Sequence, residues 1–293
     1  MFQSLWIVGC AQNCGSEVEG VFSNIESLRV LFQESSVLIL ENDSLDNTCD
    51  AIRSYGRQTF AVNALTFPGL NQRIHAKTVR LAHLRNAALA WLKQKGAWKS
   101  HGLVLILDLD EVNQEEWDLA AFQDVLSWFM AKPKAAAVFA NQLGPYYDLW
   151  ALRHPKLCPN DIWDEVFDAK LENPQLTDQQ LFATVVKPRQ LELSVDCPPL
   201  AVESAFGGLG FYKTSWLSKN PFPYVGDQTK LIMRSTGPHL LRRQVAEHVS
   251  FHAGLRSVGA KLWIHPALIN WDTQSSLHAG MGLNPASWRH LEA

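Results

Sequence analysis

The chain has 293 residues, of which 47% are hydrophobic and 19% are charged, and its formal net charge is −3. This composition is typical of a globular protein with one large α/β domain or two smaller ones. The slightly acidic balance excludes a general nucleic-acid binder, which needs an excess of basic residues. No apolar run reaches the roughly 18 residues of a membrane-spanning helix, so no transmembrane segment is predicted.

The cysteines favour a reducing compartment. Their number, five, is odd, and Cys10 and Cys14 form a lone pair without a second pair at zinc-site spacing. The N-terminus has no basic segment before its first apolar run, so no signal peptide is expected. We therefore expect a cytoplasmic protein, with peripheral association to the inner face of a membrane left open.

Strands and helices alternate at the start of the chain. Apolar spacing predicts strands at residues 4–9 and 37–40, a helix at residues 17–32, and a further short helix after the polar turn 41–48. This order implies a parallel sheet with right-handed crossovers. Ligands bind such sheets at the carboxyl ends of the strands, where residues 11–13 and the turn 41–48 fall.

An unbroken aliphatic run, Leu103 to Leu107, leads into Asp108 and Asp110. Such a run is typical of a strand buried on both faces. Residues i and i+2 of a strand project to the same side, so the two carboxylates face one point. Their repulsion favours a hard divalent cation between them. The alternatives are a solvated strand end, the metal-binding pair of a glycosyltransferase, and a phosphatase with Asp108 as nucleophile.

The middle of the chain continues the alternation. Residues 78–95 predict the clearest helix, with Arg80 and Arg85 on its polar faces, where they are either solvated or directed at a phosphate or ribose. A helix at 115–130 and a strand at 135–141 follow. Residues about 155–195 are polar and interrupted by proline, which indicates an insertion or a mobile lid.

The later elements are a glycine-rich loop, a helix and a strand. Gly207 and Gly208 permit close backbone approach to a ligand, or form a plain tight turn. Residues 242–257 predict a helix that carries Glu247 off its apolar stripe, and residues 261–264 predict a strand. On that helix, His248 and His252 share a face. Without a third ligand of the metalloprotease type, they favour core packing over zinc binding.

Together these motifs resemble a metal-dependent glycosyltransferase of the GT-A fold, and most of all the fungal capsule and Golgi mannosyltransferase-like group. The motifs run in family order over about residues 4–270. They are Glu41-Asn42-Asp43-Ser44-x-Asp46-Asn47-Thr48, Arg80-x-x-His83-Leu84-Arg85-Asn86, Asp108-Leu109-Asp110, Tyr147-Asp148-x-Trp150-Ala151-Leu152-Arg153, Gly207-Gly208 and Glu247-His248. The resemblance is specific for the fold and the reaction class, and poor evidence for the sugar.

The resemblance implies a mostly parallel central sheet flanked by helices and the following site. Asp108 and Asp110 hold Mn²⁺ or Mg²⁺, and Asp110 and Glu247 take part in catalysis. Glu247 is the acceptor's base if the reaction inverts, and only positions substrate if it retains. The sugar-nucleotide donor contacts Ala11, Gln12, Asn13, Glu41, Asp43, Arg80, Arg85 and Asp108, and the acceptor or sugar side is shaped by Tyr147, Asp148, Gly207 and Gly208.

One departure from the family concerns the third metal ligand, often a late histidine. Here the candidates are His265, Asn270, Asp272 and His278.

We expect a single domain over residues 1–293, with a nucleotide-sugar half at 1–113 and an acceptor half at 114–293. The implied partners are a UDP- or GDP-sugar and a glycan, lipid-linked or protein acceptor. The rival hypotheses are a haloacid-dehalogenase-like phosphatase, whose motif lies on the first strand and needs a later acidic strand end, and a non-catalytic sugar-binding module.

Overall fold

The computed structural model describes residues 1–234 and 237–272. The helices are α1 (Val18–Arg29), α2 (Thr48–Gln58), α3 (Leu70–Arg73), α4 (Lys77–Gln94), α5 (Leu119–Met130), α6 (Ile162–Glu172), α7 (Asp178–Leu181), α8 (Thr214–Leu217) and α9 (Glu247–Ser257). The strands are β1 (Phe2–Ala11), β2 (Phe32–Glu41), β3 (Val62–Thr66), β4 (Leu103–Asp108), β5 (Ala135–Leu143), β6 (Leu200–Val202), β7 (Leu209–Lys213), β8 (Asp227–Arg234), β9 (Gly237–Gln244) and β10 (Lys261–Asp272).

Within the described residues, eight strands form one sheet in the order β3-β2-β1-β4-β7-β5-β10-β6. The pairs β3–β2, β2–β1, β1–β4 and β5–β10 are parallel. β7 lies antiparallel between β4 and β5, and β6 lies antiparallel to β10. β1 to β5 and β10 therefore run in one direction and end at the same edge. The predicted α/β class, with a mostly parallel central sheet flanked by helices, is confirmed.

The sheet is buried on both faces because its strands are apolar at successive positions. In β4, Val104 and Ile106 pack in one cluster with buried residues of α4 and α9, and Leu103, Leu105 and Leu107 pack in the other with α1 and α5. The two-residue side-chain period of a strand produces this division. The sheet is thus the middle of three layers, and the side of β4 that carries Asp108 faces α4 and α9.

The predicted helices α1, α4 and α5 and the strands β1, β2, β4 and β5 are confirmed with small shifts at their ends. The helix predicted at 242–257 is wrong at its start: residues 242–244 belong to β9, and α9 begins at Glu247. The strand predicted at 261–264 continues to Asp272 across irregular pairing between Ile264 and Trp271. Pro266 does not end it, because the register shifts there.

The segment from about 155 to 195, in which the sequence predicted a lid or an insertion, is largely helical. It contains α6, α7 and short helical turns at Phe182–Val186 and Lys187–Arg189. Ile162, Leu181 and Val186 are buried in the same cluster as α4. These contacts join the segment to the core, and its action as a lid stays a prediction.

β8 and β9 form a separate two-stranded hairpin next to the main sheet. The sequence analysis did not identify it: no element was assigned to residues 227–241, and residues 242–244 were placed in the following helix. Among the described helices, none is both long and apolar enough to cross a lipid bilayer.

Candidate functional site

The predicted site residues gather at the edge where the parallel strands end. β1 ends at Ala11, β2 at Glu41 and β4 at Asp108. β7 runs the other way, so the loop that precedes it, Gly207–Gly208, lies at the same edge. Residues far apart in sequence are thus brought to one place by strand direction alone.

A cleft of about 160 Å³ opens at this edge. It is walled by strand ends on one side and by the first turns of α4 on the other. Of the predicted residues, Ala11, Gln12, Arg80, Asp108 and Asp110 line it, together with Cys10, Cys14, Asn42, Lys77, Leu81, Leu84 and Leu109.

Asp108 and Asp110 both face the cleft. Asp110 has an extended backbone, with φ −130° and ψ −168°, so the alternation of the strand continues for two residues past β4. Its Oδ1 is buried, and no described residue forms a hydrogen bond to it. Burial, and then the charges of Asp108 and Glu111, raises the pKa of Asp110 to about 7. A cation placed beside this carboxylate would offset both effects.

Arg85 holds the other aspartate. Its Nη2 donates to Asp108 Oδ1 at 3.0 Å, and its Nη1 forms an ion pair with Glu247. The guanidinium also lies over the ring of Phe206, 4.9 Å from the centroid. The Arg85 side chain is only 3% exposed, and it lies behind Asp108 instead of lining the cleft. Donor contact by Arg85 and acceptor contact by Glu247, which is also buried, stay predictions.

The loop before β7 supports Asp108 through its backbone. The carbonyl of Gly208 accepts hydrogen bonds from Asp108 N and from Asn113 Nδ2, both at 2.9 Å. Asn113 Nδ2 also donates to the carbonyl of Asp108, and Asn113 Oδ1 accepts from Asn270 Nδ2. Asn113 was missed by the sequence analysis, since a lone asparagine after a strand carries no distinctive pattern.

Gly208 has left-handed backbone geometry and no room for a side chain. Its φ is +80°, and a Cβ built there would lie 2.5 Å from Val112 Cγ2 and 3.0 Å from Tyr147 Oη. Asp148 accepts a hydrogen bond from Gly207 N at 3.1 Å. The four residues predicted to shape the acceptor side therefore lie together, beside Asp108 and outside the lined cleft.

The polar groups of the turn after β2 are bonded within the turn and to two neighbouring segments. Asp43, with φ +50°, accepts from Gly69 N and Asn71 N, and these bonds lower its pKa. Glu41 Oε1 accepts from Ser44 N. The side chain of Asn13 accepts from Leu45 N. These bonds shape the turn, and contact of the three predicted residues with a donor stays a prediction.

The positive side of the cleft comes from α4. Arg80 lines the wall, and its Nη1 donates to the carbonyls of Ile74 and His75 at 2.9 and 2.6 Å. Lys77, the first residue of α4, also lines the cleft. The N-cap residue Ala76 makes no side-chain cap, and Thr78 N donates to Gln244 Oε1 at 3.3 Å. The charge of Lys77 and the helix dipole favour an anion there. Lys77 was missed because the sequence placed the helix start one residue later.

The third metal ligand stays open. His265 packs edge-on against Trp128, 4.9 Å between centroids, and its Nδ1 accepts from Ala267 N. The Oδ1 of Asn270 accepts from Gln142 Nε2. Asp272 ends β10, and His278 lies outside the described residues. Within residues 1–234 and 237–272, no three His, Cys, Asp or Glu side chains are grouped to hold a metal ion.

The two histidines of α9 are core residues, as predicted. His252 bridges Ser204 Oγ at 2.8 Å and Tyr212 Oη at 2.9 Å. His248 is buried and stacks on Phe206, with 4.0 Å between ring centroids. Burial lowers the pKa of both imidazoles, to about 3 for His252, so both are neutral at pH 7. Both pack close to the Arg85 guanidinium.

No family model matches this chain, and no curated protein matches it. Among solved structures, it is similar to a mannosyltransferase from Pyrobaculum calidifontis in complex with GDP-Man and Mn²⁺, with 15% identity, a TM-score of 0.49, and coverage of 97% of this chain and 59% of that one. For S. aureus TarS the identity is 13%, the TM-score 0.44, and the coverage 93% and 60%.

Glucosyl-3-phosphoglycerate synthase from Mycobacterium tuberculosis, in complex with uridine diphosphate, is 15% identical, with a TM-score of 0.38 and coverage of 75% and 60%. The chain thus spans about three fifths of the length of these solved chains. The function of this chain therefore rests on the residues of its own site.

Replacing Arg85 with alanine should destabilise the fold by about 3 kcal/mol, because it leaves two carboxylates near the core without their cation. Arg53→Ala is the matched control: it breaks an ion pair with Asp50 whose side chains are 65% and 78% exposed, and it should cost less than about 1 kcal/mol. Urea unfolding followed by circular dichroism measures both. Equal losses would show that the Arg85 pairs do not stabilise the fold.

Gly208→Ala should cost about 2–4 kcal/mol, because it adds a clash to a left-handed backbone. Gly96→Ala separates the two effects: Gly96 has φ +83° and nothing within 4 Å of the added Cβ, so strain alone should cost about 1–2 kcal/mol. Urea unfolding measures the free energy of unfolding of both variants. The close packing around Gly208 predicts the larger loss for Gly208→Ala.

Asp110→Asn should stabilise the metal-free protein at about pH 8 by roughly 1–2 kcal/mol, and the gain should shrink toward pH 5. The folded-state pKa of Asp110, about 7, lies above its ordinary value of 3.8. Asp110 therefore favours the folded state fully below about pH 4, where it is protonated, and this effect is lost as the pH rises through 7 and the buried carboxyl ionises. Asparagine does not ionise, so the benefit of Asp110→Asn is largest at high pH. Urea unfolding with a chelator present tests this, and a gain that does not vary with pH would contradict it.

Proposed function

We propose that this protein is a metal-dependent glycosyltransferase of the GT-A type, which moves a sugar from a nucleoside-diphosphate donor to an acceptor hydroxyl. One observation carries the proposal: a single cleft has the carboxylates of Asp108 and Asp110 on its strand side and Lys77 and Arg80 on its helix side. A metal ion bound to the two aspartates would lie next to a diphosphate bound to Lys77 and Arg80, and such a donor needs both together.

The carboxylate side fits Mn²⁺ or Mg²⁺. Such cations are commonly held by one or two carboxylates, with substrate phosphates and water completing the coordination, so a third protein ligand is not required. The buried Oδ1 of Asp110, which no described residue hydrogen-bonds, suits a cation. When bound, the metal would stabilise the negative charge that develops on the leaving diphosphate.

The helix side fits the diphosphate itself. Lys77 and Arg80 supply two positive charges, and the helix dipole at the start of α4 adds to them. The resemblance implies that Ala11 and Gln12 lie against the nucleoside, and both line the same cleft. Asn42 lies in its wall as well and is a polar neighbour for the ribose or base. We propose the edge formed by Tyr147, Asp148, Gly207 and Gly208 as the sugar and acceptor side.

In this proposal Glu247 and Arg85 are positioning residues. Glu247 reaches Asp108 only through the Arg85 guanidinium, and all three groups are fixed by their pairing. Direct contact of Glu247 with an acceptor would require this ion pair to open. The arrangement therefore favours a reaction in which Glu247 orients the carboxylate of Asp108 through Arg85. A mannosyl donor and a glycan, lipid-linked or protein acceptor are the finer form of the proposal.

No observation favours the phosphatase hypothesis. The motif of such phosphatases lies on the first strand, whereas Asp108 ends the fourth strand along this chain. The sugar-binding module does not account for two aspartates and two cations in the same cleft.

The test is a thermal-shift panel of UDP, GDP and CMP, each with and without Mn²⁺. The wild type should be stabilised by one diphosphate only when Mn²⁺ is present, which also identifies the base. Asp110→Asn should abolish the Mn²⁺-dependent part of the shift, because it removes a charge from the cation site.

Asp124→Asn, an exposed change on α5, serves as the matched control and should keep the full response. A diphosphate response that is equal with and without Mn²⁺, or that Asp110→Asn leaves intact, would contradict the proposal. Hydrolysis of a generic phosphomonoester by the wild type, lost in Asp108→Asn, would favour the phosphatase instead.

A further inference from the structure

Three buried side-chain amides form a hydrogen-bonded row that ends at Asp108. They belong to Gln142 of β5, Asn270 of β10 and Asn113 of the short helical turn Glu111–Asn113, and these residues are 1%, 2% and 0% exposed. Gln142 Nε2 donates to Asn270 Oδ1, and Asn270 Nδ2 donates to Asn113 Oδ1, both at 3.0 Å. We call these three residues the amide row.

The amide row has one direction, which the neighbouring backbone fixes. Gln142 Nε2 and Asn270 Nδ2 also donate to the carbonyl of Gly207, at 3.2 and 2.9 Å. Asn113 Nδ2 donates to two further backbone carbonyls. A carbonyl only accepts, so each amide must present its nitrogen to the backbone, which leaves the oxygens of Asn270 and Asn113 for the preceding amide. Each nitrogen of the row therefore has two acceptors.

Asn113 bonds to the backbone of both aspartates. Its side chain donates to the carbonyl of Asp108 at 2.9 Å, and its backbone N–H donates to the carbonyl of Asp110 at 3.1 Å. The same side chain donates to the carbonyl of Gly208, which also accepts from Asp108 N, at 2.9 Å in each case. Both polar backbone groups of Asp108 are thus held by Asn113 or by a group that it contacts. The short side chains of the aspartates follow this backbone closely.

Asn270 reaches the row through an irregularity in β10. Ile269 is paired with Asn141, and Trp271 with Gln142. Two residues of β10 therefore span one step of β5, and Asn270 is the extra residue. Such a bulge re-aims a side chain, and bulges are frequent next to functional sites. The amide oxygen, through which an asparagine would bind a metal ion, already accepts from Gln142. Asn270 is thus placed to support the next amide of the row and not to coordinate a cation.

We propose that Asn113 and Asn270 are positioning residues for the metal site, which fix the backbone of Asp108 and Asp110 in the orientation that binds a divalent cation. Gln142 is the outer support of the same row. The inference rests on the proposed function, in which the two aspartates hold Mn²⁺ or Mg²⁺. Removing a group that holds a metal ligand in place commonly weakens metal binding by roughly ten- to a hundredfold.

The test measures the affinity of the metal-free full chain for Mn²⁺ alone, from the electron paramagnetic resonance signal of the free ion. Asn113→Ala should raise the Kd by about tenfold or more, because it removes the side-chain bond to Asp108. Asn270→Ala should raise it by about tenfold and Gln142→Ala by about threefold, since each acts through one more amide. Circular dichroism gives the temperature range in which each variant is folded, and the titrations are made there.

Asn141→Ala is the matched control. Asn141 is 0% exposed, and its Nδ2 donates to the carbonyls of Leu193 and Pro266 at 2.9 and 3.1 Å. Its replacement removes two buried amide hydrogen bonds, neither of which belongs to the amide row. Its free energy of unfolding in urea should fall about as far as that of Asn270→Ala, whereas its Mn²⁺ affinity should stay close to that of the wild type. A purely structural role would lower the stability of both variants and leave their Mn²⁺ affinities alike.

Unchanged Mn²⁺ affinity in Asn113→Ala and Asn270→Ala, or an equal loss in Asn141→Ala, would overturn the positioning role and leave the proposed function intact. If Asn113→Ala does not fold, the ranking of Asn270→Ala and Gln142→Ala against Asn141→Ala tests the same role. A wild type that binds no Mn²⁺ would remove the metal site of the proposed function, and the positioning role with it. The wild-type titration therefore separates the two failures.

Discussion

The repulsion between Asp108 and Asp110 is the constraint on which this site depends. Strand geometry holds the two carboxylates on one side of the sheet, and burial strengthens their interaction. The protein pairs only one of the two carboxylates with a buried cation. Arg85 pairs with Asp108, whereas Asp110 keeps a buried oxygen without a hydrogen bond. A buried carboxylate oxygen without a hydrogen bond, at the edge of a cleft, creates a binding preference for a cation.

The surroundings of the pair are built to keep it in place. The backbone of Gly208, the side chain of Asn113 and the buried amide of Asn270 hold the end of β4 from one side. Arg85, with Glu247 and the ring of Phe206, holds it from the other. Because these groups are buried and mutually bonded, the carboxylate of Asp108 is already oriented before a ligand binds, which reduces the reorganisation that binding would require.

Much of the fold and the central pair could be predicted from sequence, and the reason is periodicity. The apolar run before Asp108 and the stripe of α4 each reflect one simple packing environment. The hairpin of β8 and β9 was missed because residues 242–244 were assigned to the following helix, which left no second strand to pair. The burial of Arg85 could not be predicted, because it depends on which face of α4 packs against the sheet. Its partners include Glu247, more than a hundred residues further along the chain, so no local sequence pattern indicates the contact.

The position of β7 has a consequence for how the molecule assembles. In the described part of the sheet, β7 alone joins the four-stranded group that ends at β4 to the group that begins at β5. Until Lys213 has been synthesised, the aliphatic edge of β4 has no neighbour on that side and is open to pairing with other chains. The strand group that ends at β4 and the group that begins at β5 are therefore not independently folding units. Neither completes its own hydrogen bonding before the other arrives, and a nascent chain that pauses between them is exposed to aggregation.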